Sequence, residues 1–135
     1  MIGLDTNVLV RYIAQDDKAQ AARATALIET HCTVVTPGYV GLVVLVELVW
    51  VSERRYGATR NEIAEIVHRI LSIRQLVVQH AEVAWNALRL FERSRADFAD
   101  CLIVRSAVAA GCEKTMTFDR RGNDVACLNP SVDAT

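Results

Sequence analysis

The amino-acid sequence predicts an α/β domain in three layers, with a mostly parallel central sheet of about 4–5 strands and helices on both faces. Three observations lead there. Short apolar runs at residues 2–4, 32–36, 76–78, 115–118 and 125–128 alternate with longer segments of helical periodicity. Those runs are mostly apolar or β-branched, the pattern of strands buried on both faces. The chain has 135 residues, 52% hydrophobic and 23% charged, which is the size and make-up of one ordered domain. The expected boundaries are 1–135, with 129–135 a loose C-terminal tail.

Each element has a local reason. The run at 2–4 stops at Asp5-Thr6-Asn7, a turn and helix-cap cluster. Val8, Leu9, Tyr12 and Ile13 then recur at helical spacing until Gln15-Asp16-Asp17 breaks the pattern. Residues 18–30 are rich in alanine, with Ala24, Leu27 and Ile28 on one stripe. Residues 32–36 are β-branched and end at Pro37-Gly38, which reads as a buried strand. A long helix is expected over 39–55. Thr59 and Glu62 make a capping box for the next, whose stripe is Ile63, Ile66, Val67, Ile70 and Leu71. After a strand at 76–78, residues 80–94 form a helix with Val83, Ala84, Ala87, Leu88 and Phe91 inward. Residues 98–110 form another, ended by Gly111. Strands at 115–118 and 125–128 complete the set.

The charge balance narrows the partners. With 15 basic and 16 acidic residues the net charge is −1, whereas proteins that hold nucleic acid by bulk electrostatics are plainly basic. Contact with a polyanion must be local or work through bound cations. Cys32, Cys101, Cys112 and Cys127 show neither zinc-ligand nor disulfide-scaffold spacing and read as buried thiols of a reducing compartment. The first residues carry no signal-peptide pattern, and the apolar stretch 38–51 is too short for a span, so a cytoplasmic protein with no membrane contact is expected. The high apolar content hints at a buried interface with another subunit or partner.

The chemistry is expected where strands end, because ligands of parallel sheets bind beyond the carboxyl ends of the strands. Asp5 follows the first strand and Asp119 follows the run at 115–118. Each also reads as a simple cap of a helix or turn. Glu47 lies in Val43-Val44-Leu45-Val46-Glu47-Leu48-Val49-Trp50-Val51, apolar all round, so its carboxylate needs a cation, either Arg54 or Arg55 or a metal. Asp97 and Asp100 open a helix, Asp97 in the N-cap position and Asp100 in the first turn. Carboxylates gathered without His or Cys make an oxygen-only site suited to Mg²⁺ or Mn²⁺, which neutralise a substrate phosphate and activate water.

Taken in order, Leu4-Asp5-Thr6-Asn7-Val8-Leu9-Val10-Arg11, Glu47-Leu48-Val49-Trp50-Val51, Asp97-Phe98-Ala99-Asp100-Cys101-Leu102-Ile103 and Thr117-Phe118-Asp119-Arg120 resemble a PIN domain. More closely, they resemble the VapC toxins of bacterial toxin–antitoxin pairs, over residues 2 to about 128. The resemblance implies a Mg²⁺- or Mn²⁺-dependent endoribonuclease that stops translation by cutting RNA, tRNA first among the targets. It implies inhibition by a VapB-type antitoxin, and a homodimer. Asp5 and Asp100 become the principal metal ligands, with Glu47 and Asp119 completing the acidic set; Asp97 falls back to a cap or supporting role. Thr6, Asn7 and Thr117 would orient ligands or the attacking water. Arg11, Arg120 and Arg121 would meet phosphates, or simply face solvent.

Two other readings compete. Aspartate-phosphorylating folds want an acidic pair or D-x-D after the first strand, where this chain has Asp5-Thr6-Asn7. A catalytically silent PIN-like module binding RNA or protein is the alternative from another class, and the presence of all four acids stands against it. Nucleotide-binding glycine motifs are absent from the chain.

Overall fold

The computed structural model describes residues 1–118 and 125–128. Its strands and helices follow the α/β order expected: β1 (Ile2–Gly3), α1 (Thr6–Ala14), α2 (Lys18–Ala26), β2 (Gly38–Val40), α3 (Leu42–Tyr56), α4 (Arg60–Ser72), β3 (Leu76–Val78), α5 (Ala81–Arg93), α6 (Phe98–Ala109), β4 (Met116–Phe118) and β5 (Val125–Cys127). A π-helical turn, Leu27–His31, continues α2. The chain packs as two compact units, one spanning Met1–Ala81 and the second from Glu82 onward.

In the first unit β1, β2 and β3 form a parallel sheet in sequence order, with Ile2 opposite Gly38 and Gly38 opposite Leu76. Parallel neighbours need a crossover, and here each crossover carries two helices, α1–α2 and α3–α4. Helix α1 packs on α2 and α3, α3 on α4, and α4 on β3. The buried stripe Leu9, Val10 and Tyr12 of α1 meets the demands of that packing, as do Leu45, Leu48 and Val49 of α3. The expected stripe of α4 is present: Ile63, Val67 and Ile70 are buried, Ile66 and Leu71 half-buried. Its capping box forms on both sides, Thr59 Oγ1 accepting from Glu62 N and Glu62 Oε1 accepting from Thr59 N. Gly57 ends α3 in the left-handed conformation that glycine adopts without steric cost (φ 64°).

The expected strand at 32–36 is not one. Val34 is 66% and Val35 91% exposed, and the strand starts after Pro37, at Gly38. The cause is packing: a Cβ at residue 38 would come within 2.8 Å of Leu76 Cδ2, 2.9 Å of Leu4 Cδ1 and 3.0 Å of Cys32 Sγ. Glycine lets β2 settle between β1 and β3 there without displacing those side chains. The helix expected from residue 39 therefore starts three residues later, at Leu42.

In the second unit, α5 buries Ala84, Ala87, Leu88, Leu90 and Phe91, while Val83 is half-buried. Phe91 meets Phe98 of α6 edge to face, ring centres 6.0 Å apart. Strands β4 and β5 pair with each other, antiparallel, so among the described residues the strand pairings divide into a set of three and a set of two. Of the four free thiols, Cys32 and Cys101 are buried as expected; Cys112 and Cys127 are exposed. Among the described residues no helix is long and apolar enough to cross a membrane. The tail 129–135 lies outside the described residues.

Candidate active site

Asp5 stands where the first strand hands over to α1, in the N-cap position with an extended backbone (φ −84°, ψ 159°). An aspartate there ordinarily accepts a hydrogen bond from the open N–H groups of the first turn. Asp5 does not: its side chain makes no capping bond, and its residue is exposed. The cap reading of Asp5 therefore fails in its specific form: the position is that of a cap, but the capping bond is not made.

The neighbouring Thr6 is buried, and its hydroxyl donates to Glu47 Oε2 at 3.2 Å. Packing of α1 on α3 thus brings Glu47, 41 residues away in sequence, to the residue beside Asp5. Glu47 itself is exposed, which corrects the expectation of a carboxylate buried in an all-apolar helix. Val43 (71% exposed), Glu47, Trp50 (56%) and Arg54 recur three and four residues apart and form the outward face of α3. Arg54 does not pair with Glu47; its guanidinium lies over the Trp50 ring, 5.4 Å from the centre. Among the described residues the one salt bridge joins Arg11 to Asp16.

Asn7 is exposed in the first turn of α1. Arg11, one turn on, is half-buried, and its Nη1 meets Asp16 Oδ1 at 3.2 Å. The other Asp16 oxygen accepts from the Tyr56 hydroxyl at 2.9 Å, so one carboxylate ties the end of α1 to the end of α3. That hydroxyl, more than Arg11, holds the Asp16 carboxyl below its ordinary range.

In the second unit Asp97 caps α6 in the usual way, Oδ1 accepting from Asp100 N at 2.8 Å. Asp100 is half-buried in the first turn. Thr117 is exposed in β4, paired with Ala126. Asp119, Arg120 and Arg121 lie outside the described residues. Among the described residues no three His, Cys, Asp or Glu side chains gather closely enough for one metal ion. What the structure does bring together, in the first unit, is an oxygen-only set from Thr6 and Glu47 beside Asp5 and Asn7.

One feature of the first unit was not read from the sequence. A groove of ≈ 350 Å³ runs between α1 and α2, with Asn7, Arg11, Gln20 and Arg23 on its walls and Val8, Ala24 and Leu27 on its floor. The signal for it was available: Gln20 and Arg23 interrupt an alanine-rich helix at i, i+3 spacing, on the side that carries Ala24 and Leu27.

The chain is similar to known proteins in these parts. Residues 2–127 match the PIN domain family. A protein named VapC ribonuclease from Aquifex aeolicus (strain VF5) is 31% identical over 78 residues, 58% of this chain and 58% of that protein, so the match spans less than two-thirds of the relative's length.

Proposed function

Since the chain belongs to the PIN domain family, we propose that it is a metal-dependent endoribonuclease, the toxin of a VapBC-type pair, that inhibits translation by cutting RNA, tRNA first among the candidates. The observation that carries this reading is the Asp5 carboxylate, in a capping position yet making no cap, beside the Thr6–Glu47 hydrogen bond. The family match running through both compact units supports treating 1–135 as one PIN domain.

The donor chemistry fits the ion. Asp5, Glu47, Thr6 and Asn7 offer carboxylate, hydroxyl and amide oxygens without thiolate or imidazole, a set for Mg²⁺ or Mn²⁺. Asp5 and Asp100 would be its principal holders, with Glu47 and Asp119 the remaining acids and Asp97 in support. Such an ion, when bound, neutralises charge on the scissile phosphate and lowers the pKa of a water. The chain's own residues set the stage for that. The Thr6 hydroxyl fixes one Glu47 oxygen, leaving the other to accept a proton from the attacking water. The Asn7 amide and Thr117 hydroxyl are placed in sequence to orient water or ligand. Arg11, Arg120 and Arg121 would counter the charge of flanking phosphates. A cognate VapB-type antitoxin, a homodimer and a cytoplasmic location belong to the same reading.

The test is cleavage of total tRNA, then of rRNA and mRNA, by the purified chain with Mg²⁺ or Mn²⁺, with EDTA, and as the Asp5→Asn plus Asp100→Asn variant. Metal-dependent cutting that the variant loses is the expected result. No cutting of any of the three, with no Mn²⁺ bound by calorimetry, would instead make the chain a silent binding module.

A further inference from the structure

We propose that the groove between α1 and α2 is a track for the RNA strand beside the cut, in which Arg11 and Arg23 hold one backbone phosphate and the apolar floor carries the adjoining ribose. The inference rests on the nuclease reading and adds Arg23 and Gln20 of α2 to its Arg11. Helices α1 and α2, joined by the turn at 15–17, pack together, and the groove volume of ≈ 350 Å³ lies in the range that holds small organic groups. Along α2 its lining steps from Gln20 to Leu27, about 10 Å at 1.5 Å per residue, room for a nucleotide's phosphate and sugar.

Charge decides the occupant. Two guanidiniums and two side-chain amides line the walls, and no carboxylate does. Arg11 is partly neutralised by Asp16, whereas no ion pair is formed by Arg23 among the described residues. A guanidinium fork matches the oxygens of a phosphate in a bidentate way. The lining contains no aromatic side chain on which a base could stack, so the groove suits the backbone and not the bases. Its Asn7 end is two residues from Asp5, so a strand leaving the groove there passes the carboxylate proposed to hold the metal. A chain of net charge −1 thereby gains a local basic track that its composition conceals.

The experiment is fluorescence anisotropy of a labelled single-stranded RNA in EDTA, where cutting is off, over a range of salt, with parallel cleavage kinetics in Mn²⁺. Arg23→Ala sits on an exposed, alanine-rich helix face and favours the helix, so misfolding does not confuse the result. It is expected to weaken RNA binding about fivefold and to make the salt slope shallower by about 0.7, the value for one phosphate contact on a single strand. Because Asp16 already neutralises much of the Arg11 charge, Arg11→Ala plus Arg23→Ala should weaken binding further with little second step in slope. In cleavage the effect should fall on KM, with kcat changed less than about twofold. Arg74→Ala, exposed in the turn between α4 and β3, is the control for bulk charge and should match the parent.

Equal losses in Arg23→Ala and Arg74→Ala would overturn the track, as would an unchanged slope. So would RNA binding that survives Arg23→Ala while binding of a synthetic acidic amphipathic peptide is lost, which would make the groove a protein-docking site. If the parent chain binds RNA through Arg23 but never cuts it, the track stands and the nuclease reading falls; if it cuts with no dependence on Arg23, the reverse holds.

Discussion

Asp5 at the start of α1 and Asp97 at the start of α6 are the same residue type in the same helical position, each on an extended backbone. Asp97 closes a hydrogen bond to the third amide of its helix, as Asp17 and Thr59 do for α2 and α4. Asp5 does not, and its neighbour Thr6, instead of facing solvent, is buried against Glu47. A capping bond is worth about 1 kcal/mol, so leaving it unmade is a local cost that the fold accepts. The difference separates an acid that caps its helix from one that does not. Sequence position alone does not make that distinction; the capping hydrogen bond, made or unmade, does.

Substitutions can press on this contrast. The largest effect is expected from Asp5→Asn, which keeps a residue as good at the N-cap but removes the charge. Cutting of RNA should fall roughly a hundredfold or more, with the melting temperature unchanged or raised. A collapse in melting temperature would return Asp5 to the structural class. Next comes Thr6→Val, which keeps the shape of a buried side chain and deletes the donor to Glu47. About a tenfold loss of activity is expected, with stability changed by less than about 1 kcal/mol. Asp97→Ala should behave oppositely, costing about 1 kcal/mol and a few degrees of melting temperature. Its partner variant Asp97→Asn keeps a capping side chain, and cutting should drop less than about tenfold; a hundredfold loss would move Asp97 into the company of Asp5.

The smallest effect concerns pH. The Tyr56 hydroxyl, with smaller help from a backbone amide and Arg11, keeps the Asp16 carboxyl below its ordinary value of 3.8. A group whose pKa is depressed on folding contributes stability above its unfolded value and loses it as pH falls through the folded one. Tyr56→Phe should therefore lower the melting temperature slightly at pH 6, and the gap to the parent should close as the pH falls below 3.8. A gap that persists unchanged at low pH would show that Tyr56 acts by packing alone.

Much of this was legible from residues. The capping box at Thr59 and Glu62, the apolar stripe of α4 and the strand at 76–78 follow from local pattern, because each depends on neighbours within one turn or one run. The strand at 32–36 was misread because β-branched residues fit a half-buried pleated surface only where one is offered. Val34 and Val35 face solvent, and the sheet instead accepts Gly38, whose merit is the side chain it lacks. Glu47 was misplaced for a related reason. Val43 and Trp50 are apolar yet share its outward face, so composition hid the solvent side of α3 that helical spacing reveals. The Thr6–Glu47 contact spans 41 residues, and the division of the strands into three and two is set by pairing; neither is written in any local window.

Gly38 bears on the proposed site from a distance. Leu4, whose Cδ1 lies 2.9 Å from where a Cβ at 38 would be, is the residue before Asp5. Leu4, Leu76 and Cys32 are all buried, so an added methyl must push them, at a cost of about 1–3 kcal/mol typical of an overfilled interior. In a genetic selection for inactive variants, Asp5 and Gly38 should both be recovered but as different kinds of allele. Changes at Asp5 should be null at every temperature. Gly38→Ala should be conditional, active in the cold and silent in the warm, a handle for switching the protein off without touching any residue of its acidic set.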